Sequence, residues 1–175
     1  QRCLESITSQ SYQDFELIII NDGSKDNTWN LICDIAKKDS MFTGISLSKN
    51  FGHQNALVAG LLSSRKYADI VITMDSDLQD DINAMDEMLD KYLNEHCEIV
   101  YGVRSSRKSD SYIKKVTAEL FYKFMKFMGV ETVYNHADYR LLSSRVLDEL
   151  ENFEEVNLFL RGMVPLVGFQ STSVY

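Results

Sequence analysis

The run Phe15-Glu16-Leu17-Ile18-Ile19-Ile20 does most to limit what this chain can become. It is short and almost continuously apolar, which reads as a strand buried on both faces. Such a strand needs a layer above it and another below, and the chain supplies these in alternation. Asn21-Asp22-Gly23-Ser24-Lys25-Asp26 is a turn-rich segment. Trp29, Leu31, Ile32, Ile35 and Ala36 then give a helical face. Phe42–Leu47 reads as a second strand, Asn50-Phe51-Gly52-His53 as a loop, and Gln54–Ser64 as a helix despite Gly60. Asp69–Met74 is a third strand, Ile82, Met85, Leu89, Tyr92 and Leu93 form a helical stripe, and Glu98–Val103 is a fourth strand. Strands alternating with helices predict parallel pairing and a layered α/β fold. Ligands of open α/β sheets lie beyond the carboxyl ends of the strands. The loops after Ile20, Leu47, Met74 and Val103 are therefore expected at one edge, bringing Asp22, Asn50, Asp75, Asp77 and Arg104 together.

The third strand runs into Met74-Asp75-Ser76-Asp77-Leu78-Gln79-Asp80-Asp81, with four carboxylates in seven residues. Crowded like charges disfavour ionisation, and a bound cation removes that cost. Hard oxygen donors suit Mg²⁺ or Mn²⁺, which keep waters and bridge to substrate phosphates. The spacing allows equally an acidic loop that caps the following helix, where Asp80 and Asp81 favour the positive helix end.

At 175 residues the chain is expected to form one domain over 1–175. Its formal net charge of −8 argues against non-specific nucleic-acid binding. Against that background, Arg104 to Met128 carries seven Lys/Arg and two acids. A basic segment on an acidic protein suggests a local anionic partner, either a phosphate or a membrane surface. Within it Tyr112–Met128 is amphipathic, as a membrane-interface helix or a helix packed on the sheet would be. Cys3, Cys33 and Cys97 fit neither a disulfide framework nor a zinc pattern, and no run is long enough to cross a bilayer. Cys3, Leu4 and Ile7 read as the end of a helix already under way, so the numbering is expected to start inside a longer chain. After Gly129 the alternation breaks down. Asn135–Arg140 is polar and precedes a short helix at Val146–Leu150, Leu158–Gly168 is mixed, and Gly168–Tyr175 is a candidate terminal strand.

Six segments in order resemble the family 2 glycosyltransferases, and within them the bacterial polyprenyl-phosphate (bactoprenol) glycosyltransferases and the dolichol-phosphate mannose synthases. Asn21–Asp26 resembles the nucleotide-binding turn. Asn50-Phe51-Gly52-His53-Gln54 with Ala59-Gly60-Leu61 resembles a segment of the polyprenyl-phosphate branch. Asp75-Ser76-Asp77-Leu78-Gln79-Asp80 is similar to its metal signature, and Tyr101–Arg104 with Arg107-Lys108 to its basic acceptor loop. Ala137-Asp138-Tyr139-Arg140-Leu141 is similar to the catalytic-Asp segment, and Arg161-Gly162 to a later Arg-Gly pair. Two departures stand out. The strand with which relatives begin is apparently missing from the chain, and Asp81 stands where Pro is frequent.

The resemblance implies a GT-A, Rossmann-like, mostly parallel sheet flanked by helices. It also implies sugar transfer from a nucleotide diphosphate sugar to a polyprenyl phosphate, with inversion, at the cytoplasmic face of the plasma membrane. A homo-oligomer is compatible with this. Asp22, Gly23, Asn50, Asp75 and Arg161 are then expected at the nucleotide sugar, and Asp75, Asp77 and Gln79 at the Mg²⁺ or Mn²⁺ ion. Arg104, Arg107, Lys108 and Arg140 are expected at the acceptor phosphate. Asp138 is the expected catalytic residue. It is a general base if the acceptor is a hydroxyl; if the acceptor is a phosphate, already largely anionic, it orients or stabilises charge instead. A soluble glycan acceptor, a nucleotidyltransferase and a regulatory nucleotide-binding domain are the competing readings. The second of these lacks its Gly-rich loop here.

Overall fold

The computed structural model describes residues 2–103, 136–153 and 160–175. The first half alternates as the apolar runs predict. Helix α1 (Arg2–Thr8) precedes β1 (Leu17–Asn21), α2 (Thr28–Lys38), β2 (Phe42–Ser46) and α3 (His53–Ser64). Next come β3 (Ile70–Thr73), α4 (Ala84–Glu95) and β4 (Ile99–Val103). The later described residues form β5 (His136–Ser143), α5 (Ser144–Glu151), α6 (Leu160–Leu166) and β6 (Ser171–Val174).

Strands β1 and β2 pair in parallel. The other four lie in the order β3-β5-β4-β6. This second sheet is mixed. Strand β5 runs antiparallel to both neighbours, whereas β4 and β6 are parallel. The segment around Asp138, read as polar connection, is therefore an interior strand eight residues long. Its polarity misleads because Asp138 and Arg140 are two residues apart, on the same face, and neutralise each other. The reversal matters for the site. Thr73, the last residue of β3, pairs with Arg140, and Val103, the last of β4, pairs with His136. The start of β5 thus lies at the carboxyl edge of its neighbours, and Asp138 reaches the predicted site from the opposite direction.

Alternation on β4 and β5 builds two apolar layers. Ile99, Tyr101 and Leu142 join Leu61, Val146, Leu147, Leu160, Met163 and Val164 from the helices on one face. Val100, Tyr139 and Leu141 join Met88, Cys97 and Val174 on the other. Each fully buried aliphatic side chain contributes roughly 1.5–3 kcal/mol of transfer free energy. By period two, Asp138 and Arg140 share the face of Leu142, the one that packs α3, α5 and α6. Helix α3 packs against β1 and β3 and so bridges the two sheets. Helix α5 is capped by Ser143, whose side chain accepts from the Val146 amide at 3.3 Å. No helix among the described residues is long and apolar enough to cross a membrane.

Candidate active site

Asp138 is the centre of the site. It is 2% exposed, on a strand that Thr73 fixes by donating its hydroxyl to the Asp138 carbonyl. Its carboxylate receives Arg140 Nη2 and Arg161 Nε on Oδ1. On Oδ2 it receives Arg161 Nη2 at 3.0 Å, His53 Nε2 at 2.8 Å and Gln54 Nε2 at 3.3 Å. An ionised carboxylate only accepts, so His53 carries its proton on Nε2. Five contacts more than fill the roughly four lone-pair sites of a carboxylate. Burial alone raises the pKa of such a group. The Arg161 hydrogen bond and the charges of Arg140 and Arg161 outweigh burial and hold Asp138 below the usual carboxylate range. The group is therefore an anchor for the two arginines, His53 and Gln54.

Arg140, expected at an acceptor phosphate, is instead 1% exposed and bonded to Asp138. Among the described residues its Nη1 has no hydrogen-bond partner. It lies beside Tyr101, whose hydroxyl is pushed up to about 12 by burial. Arg161 is different: 41% of its side chain remains accessible while Asp138 holds it from two nitrogens. Such two-point contact fixes the plane of a guanidinium.

The acidic turn after β3 closes on itself. Asp80, 7% exposed, accepts from the Asp75 amide at 3.3 Å, and Asp77 Oδ1 accepts from the Gln79 amide at 3.0 Å. Leu78 has φ 62°, a left-handed backbone that L-residues seldom adopt and that clusters at functional sites. Leu78 is also 41% exposed, so packing does not explain its place. Burial raises the Asp75 carboxyl above its ordinary range, and Asp80, Asp77 and Asp138 push the same way against His53. Among the described residues no three His, Cys, Asp or Glu side chains converge tightly enough to hold an ion by themselves. The donor set, two carboxylates and an amide oxygen, fits a hard cation that takes its remaining ligands from water and phosphate.

Asp22 and Asn50 meet at the neighbouring edge. Asp22 accepts from the Phe51 amide at 2.7 Å and the Gly52 amide at 3.0 Å, tying the loop after β1 to the loop after β2. Asn50 Oδ1 also accepts from the Gly52 amide. Gly23 has φ 64°, and a Cβ there would lie 2.3 Å from the Lys49 carbonyl carbon, so no other residue fits. Phe51 remains 46% exposed beside these loops, with Lys49 5.0 Å from its ring centre.

The fold thus gathers Asp75, Asp138, Arg140 and Arg161 around His53, and Asp22, Gly23 and Asn50 at the adjoining loops. Arg104, Arg107, Lys108 and the Tyr112–Met128 stretch lie outside the described residues. Sequence reasoning quoted Gln54 in a family segment without giving it a role, and took His53 for a loop or cap residue. The signal available was their place, two polar residues in the first turn of a helix that follows a strand-end loop. Tyr139 was given no role either, although its hydroxyl donates to the Asp81 carbonyl at 3.0 Å and ties β5 to the acidic turn.

Comparison with known proteins gives this geometry a context. The sequence model of glycosyl transferase family 2 matches residues 1–151. The Bacillus subtilis (strain 168) protein named uncharacterized glycosyltransferase YkoT is 49% identical over 162 residues, 93% of this chain and 48% of that protein. The bactoprenol glucosyl transferase of Shigella phage SfX is 36% identical over 160 residues, 91% of this chain and 52% of that protein. The chain therefore spans about half the length of these relatives. Among solved structures, S. aureus TarS superposes with a TM-score of 0.64 at 15% identity, covering 98% of this chain and 52% of that one. The mannosyltransferase PcManGT from Pyrobaculum calidifontis, in complex with GDP-Man and Mn²⁺, gives 0.63 at 15% identity, covering 99% and 50%. At such identities these two likenesses concern the fold, which is that of the GT-A glycosyltransferases.

Proposed function

The chain belongs to glycosyl transferase family 2, and from that premise we propose that it moves a sugar from a nucleotide diphosphate sugar onto the phosphate of a polyprenyl lipid at a membrane surface. The observation that carries the choice of acceptor is the state of Asp138. A hydroxyl acceptor must lose a proton, and so needs a base with an open lone pair and a suitable pKa. Asp138 is saturated by Arg140, Arg161, His53 and Gln54 and is held below the usual range. A phosphate monoester is already largely anionic near neutral pH. Its oxygen attacks the anomeric carbon as the bond to the diphosphate oxygen breaks, and the nucleoside diphosphate departs with the electron pair. No proton has to be moved, and in-line attack inverts the anomeric centre. The relatives named bactoprenol glucosyl transferase support the same acceptor.

In this reading Asp138 holds Arg161, whose side chain is 41% accessible, in a fixed plane toward phosphate oxygen. Arg140 sets Asp138 from beneath. Asp75, Asp77 and Gln79 would hold a divalent cation, which would supply positive charge against a diphosphate. Asp22, Gly23 and Asn50 shape the loops that receive the nucleoside. The resemblance assigns the basic residues Arg104, Arg107 and Lys108, outside the described residues, to the lipid phosphate.

The test is a transfer assay. The full-length protein is incubated with UDP-glucose, UDP-GlcNAc or GDP-mannose and undecaprenyl phosphate in Mn²⁺. A lipid-linked sugar with one donor is the expected result. Transfer to a soluble glycan hydroxyl, with none to the lipid phosphate, overturns the acceptor and gives Asp138 back to general-base chemistry.

A further inference from the structure

We propose that His53 and Gln54, adjacent in the first turn of α3, are positioning residues that lock the Asp138 carboxylate in the orientation that clamps Arg161. Gln54 uses both ends of its amide. Its Nε2 donates to Asp138 Oδ2 at 3.3 Å, and its Oε1 accepts from the Leu160 amide at 3.3 Å. The assignment of oxygen and nitrogen is forced, because a backbone N–H only donates and a carboxylate only accepts. Gln54 thereby joins three elements: α3, β5 and the start of α6, the helix that carries Arg161. His53 lies 2.8 Å from Asp138 Oδ2 and 3.8 Å from Asp75 Oδ1, so one imidazole stands between the buried anchor and the acidic turn.

Neutralising Asp138 does not require either residue, since two guanidiniums already face it. What His53 and Gln54 add is direction. Both act on Oδ2, the oxygen that Arg140 does not hold, and together they stop the carboxylate from turning about its Cβ–Cγ bond. With both oxygens fixed, Arg161 meets Oδ1 through Nε and Oδ2 through Nη2, in register. Release either partner, and Arg161 keeps its charge but loses its plane. Small misplacement of a phosphate-facing group is costly to transfer, on the order of a hundredfold for about 1 Å.

The kinetic consequence rests on the transferase reading; the side-chain geometry does not. Two measurements therefore separate them. In the assay above, His53→Ala and Gln54→Ala are expected to lower kcat about ten- to a hundredfold. KM for the nucleotide sugar should change less than kcat, because Arg161, the group expected at the nucleotide sugar, keeps its charge and loses only its plane. His53→Gln, which keeps an N–H donor, should recover most of the loss. Equal loss in His53→Gln and His53→Ala, or a loss confined to KM, overturns the proposal. The second measurement needs no turnover. Long-range ¹H–¹⁵N spectra of the histidine rings should show the His53 Nε2 resonance moving in Asp138→Asn and in Gln54→Ala, while His96 stays in place. An unmoved His53 overturns the proposal whether or not sugar is transferred. A moved His53 in a protein that makes no lipid-linked product with any of the three donors supports the positioning and removes the transferase reading alone.

Discussion

Two carboxylate clusters lie side by side at the carboxyl edge of this sheet, and they are opposites. The turn after β3 carries Asp75, Asp77, Asp80 and Asp81 with one half-exposed histidine beside it, and burial together with its acidic neighbours raises Asp75. The start of β5 carries one carboxylate, Asp138, against two arginines, a histidine and a glutamine, and its pKa is lowered. One region lacks positive charge and the other has more than its carboxylate needs. Like-charge crowding is tolerable where a cation is to be taken up, and surplus positive charge where an anion is to arrive. A nucleotide sugar with a metal on its diphosphate and an anionic acceptor matches both halves. Removing groups one at a time tests whether the halves are as different as they look.

The largest effect belongs to the buried side. Asp138→Ala leaves Arg140, 1% exposed, without its counter-ion. Stranding one member of a buried ion pair costs about 3–5 kcal/mol. Urea unfolding should show a loss in that range, and a change below about 1 kcal/mol would mean that Arg140 finds another anion. The acidic turn should answer to ligand more than to denaturant. Asp77→Asn is expected to weaken UDP binding in Mn²⁺ at least about tenfold, or 1.4 kcal/mol, and to leave binding in EDTA unchanged. Calorimetry with equal affinities in Mn²⁺ would remove the cation from this turn. The two regions are joined by Tyr139, whose hydroxyl donates to the Asp81 carbonyl. Tyr139→Phe breaks that single bond and should cost about 1 kcal/mol in urea unfolding. It should also weaken Mn²⁺-dependent UDP binding; unchanged binding would make the clusters independent.

The acidic half of this contrast was legible in the sequence and the basic half was not. Apolar Ile70–Thr73 followed at once by alternating acids needs only local pattern to read as a strand ending in metal-type donors. Asp22 and Gly23 were legible for the same reason, since a turn after an Ile-rich strand is written in consecutive residues. The Asp138 cluster is assembled from residues far apart in the chain: His53 and Gln54 from one helix, Arg161 from another, with a separation of 85 positions from His53 to Asp138. No spacing encodes that. The resemblance supplied Asp138 and Arg161 as names without geometry, and Arg140 with a role that its burial does not offer. Strand β5 hid because its charged residues, paired with each other, can occupy an interior face that patterning reserves for apolar side chains. Helix α3 shows the converse: its apolar residues lie all round and it packs against both sheets, a pattern that gives no sign of its two polar residues at the site.

The smallest effect is the one that separates the two carboxylates by sign. A carboxyl whose pKa is raised by folding opposes the fold when ionised. Its penalty is present above the raised value, fades as pH falls through it, and is gone below the ordinary 3.8. Asp75 is of this kind. A carboxyl whose pKa is lowered stabilises the fold above 3.8, and that contribution is lost as pH falls through the lowered value. Asp138 is of that kind. Without metal, Asp75→Asn should therefore be slightly more stable than wild type at pH 7, by about 0.5 kcal/mol or less, because Asp75 is partly exposed and screened. The gap should close as pH falls toward 3.8. Asp138→Asn should behave in the reverse sense, with its deficit full at pH 7 and shrinking only below 3.8. Thermal unfolding of the three proteins between pH 7 and 3 reads both trends. If the Asp75 gap widened on acidification, the turn would not be starved of positive charge, and the reason for placing a cation there would go with it.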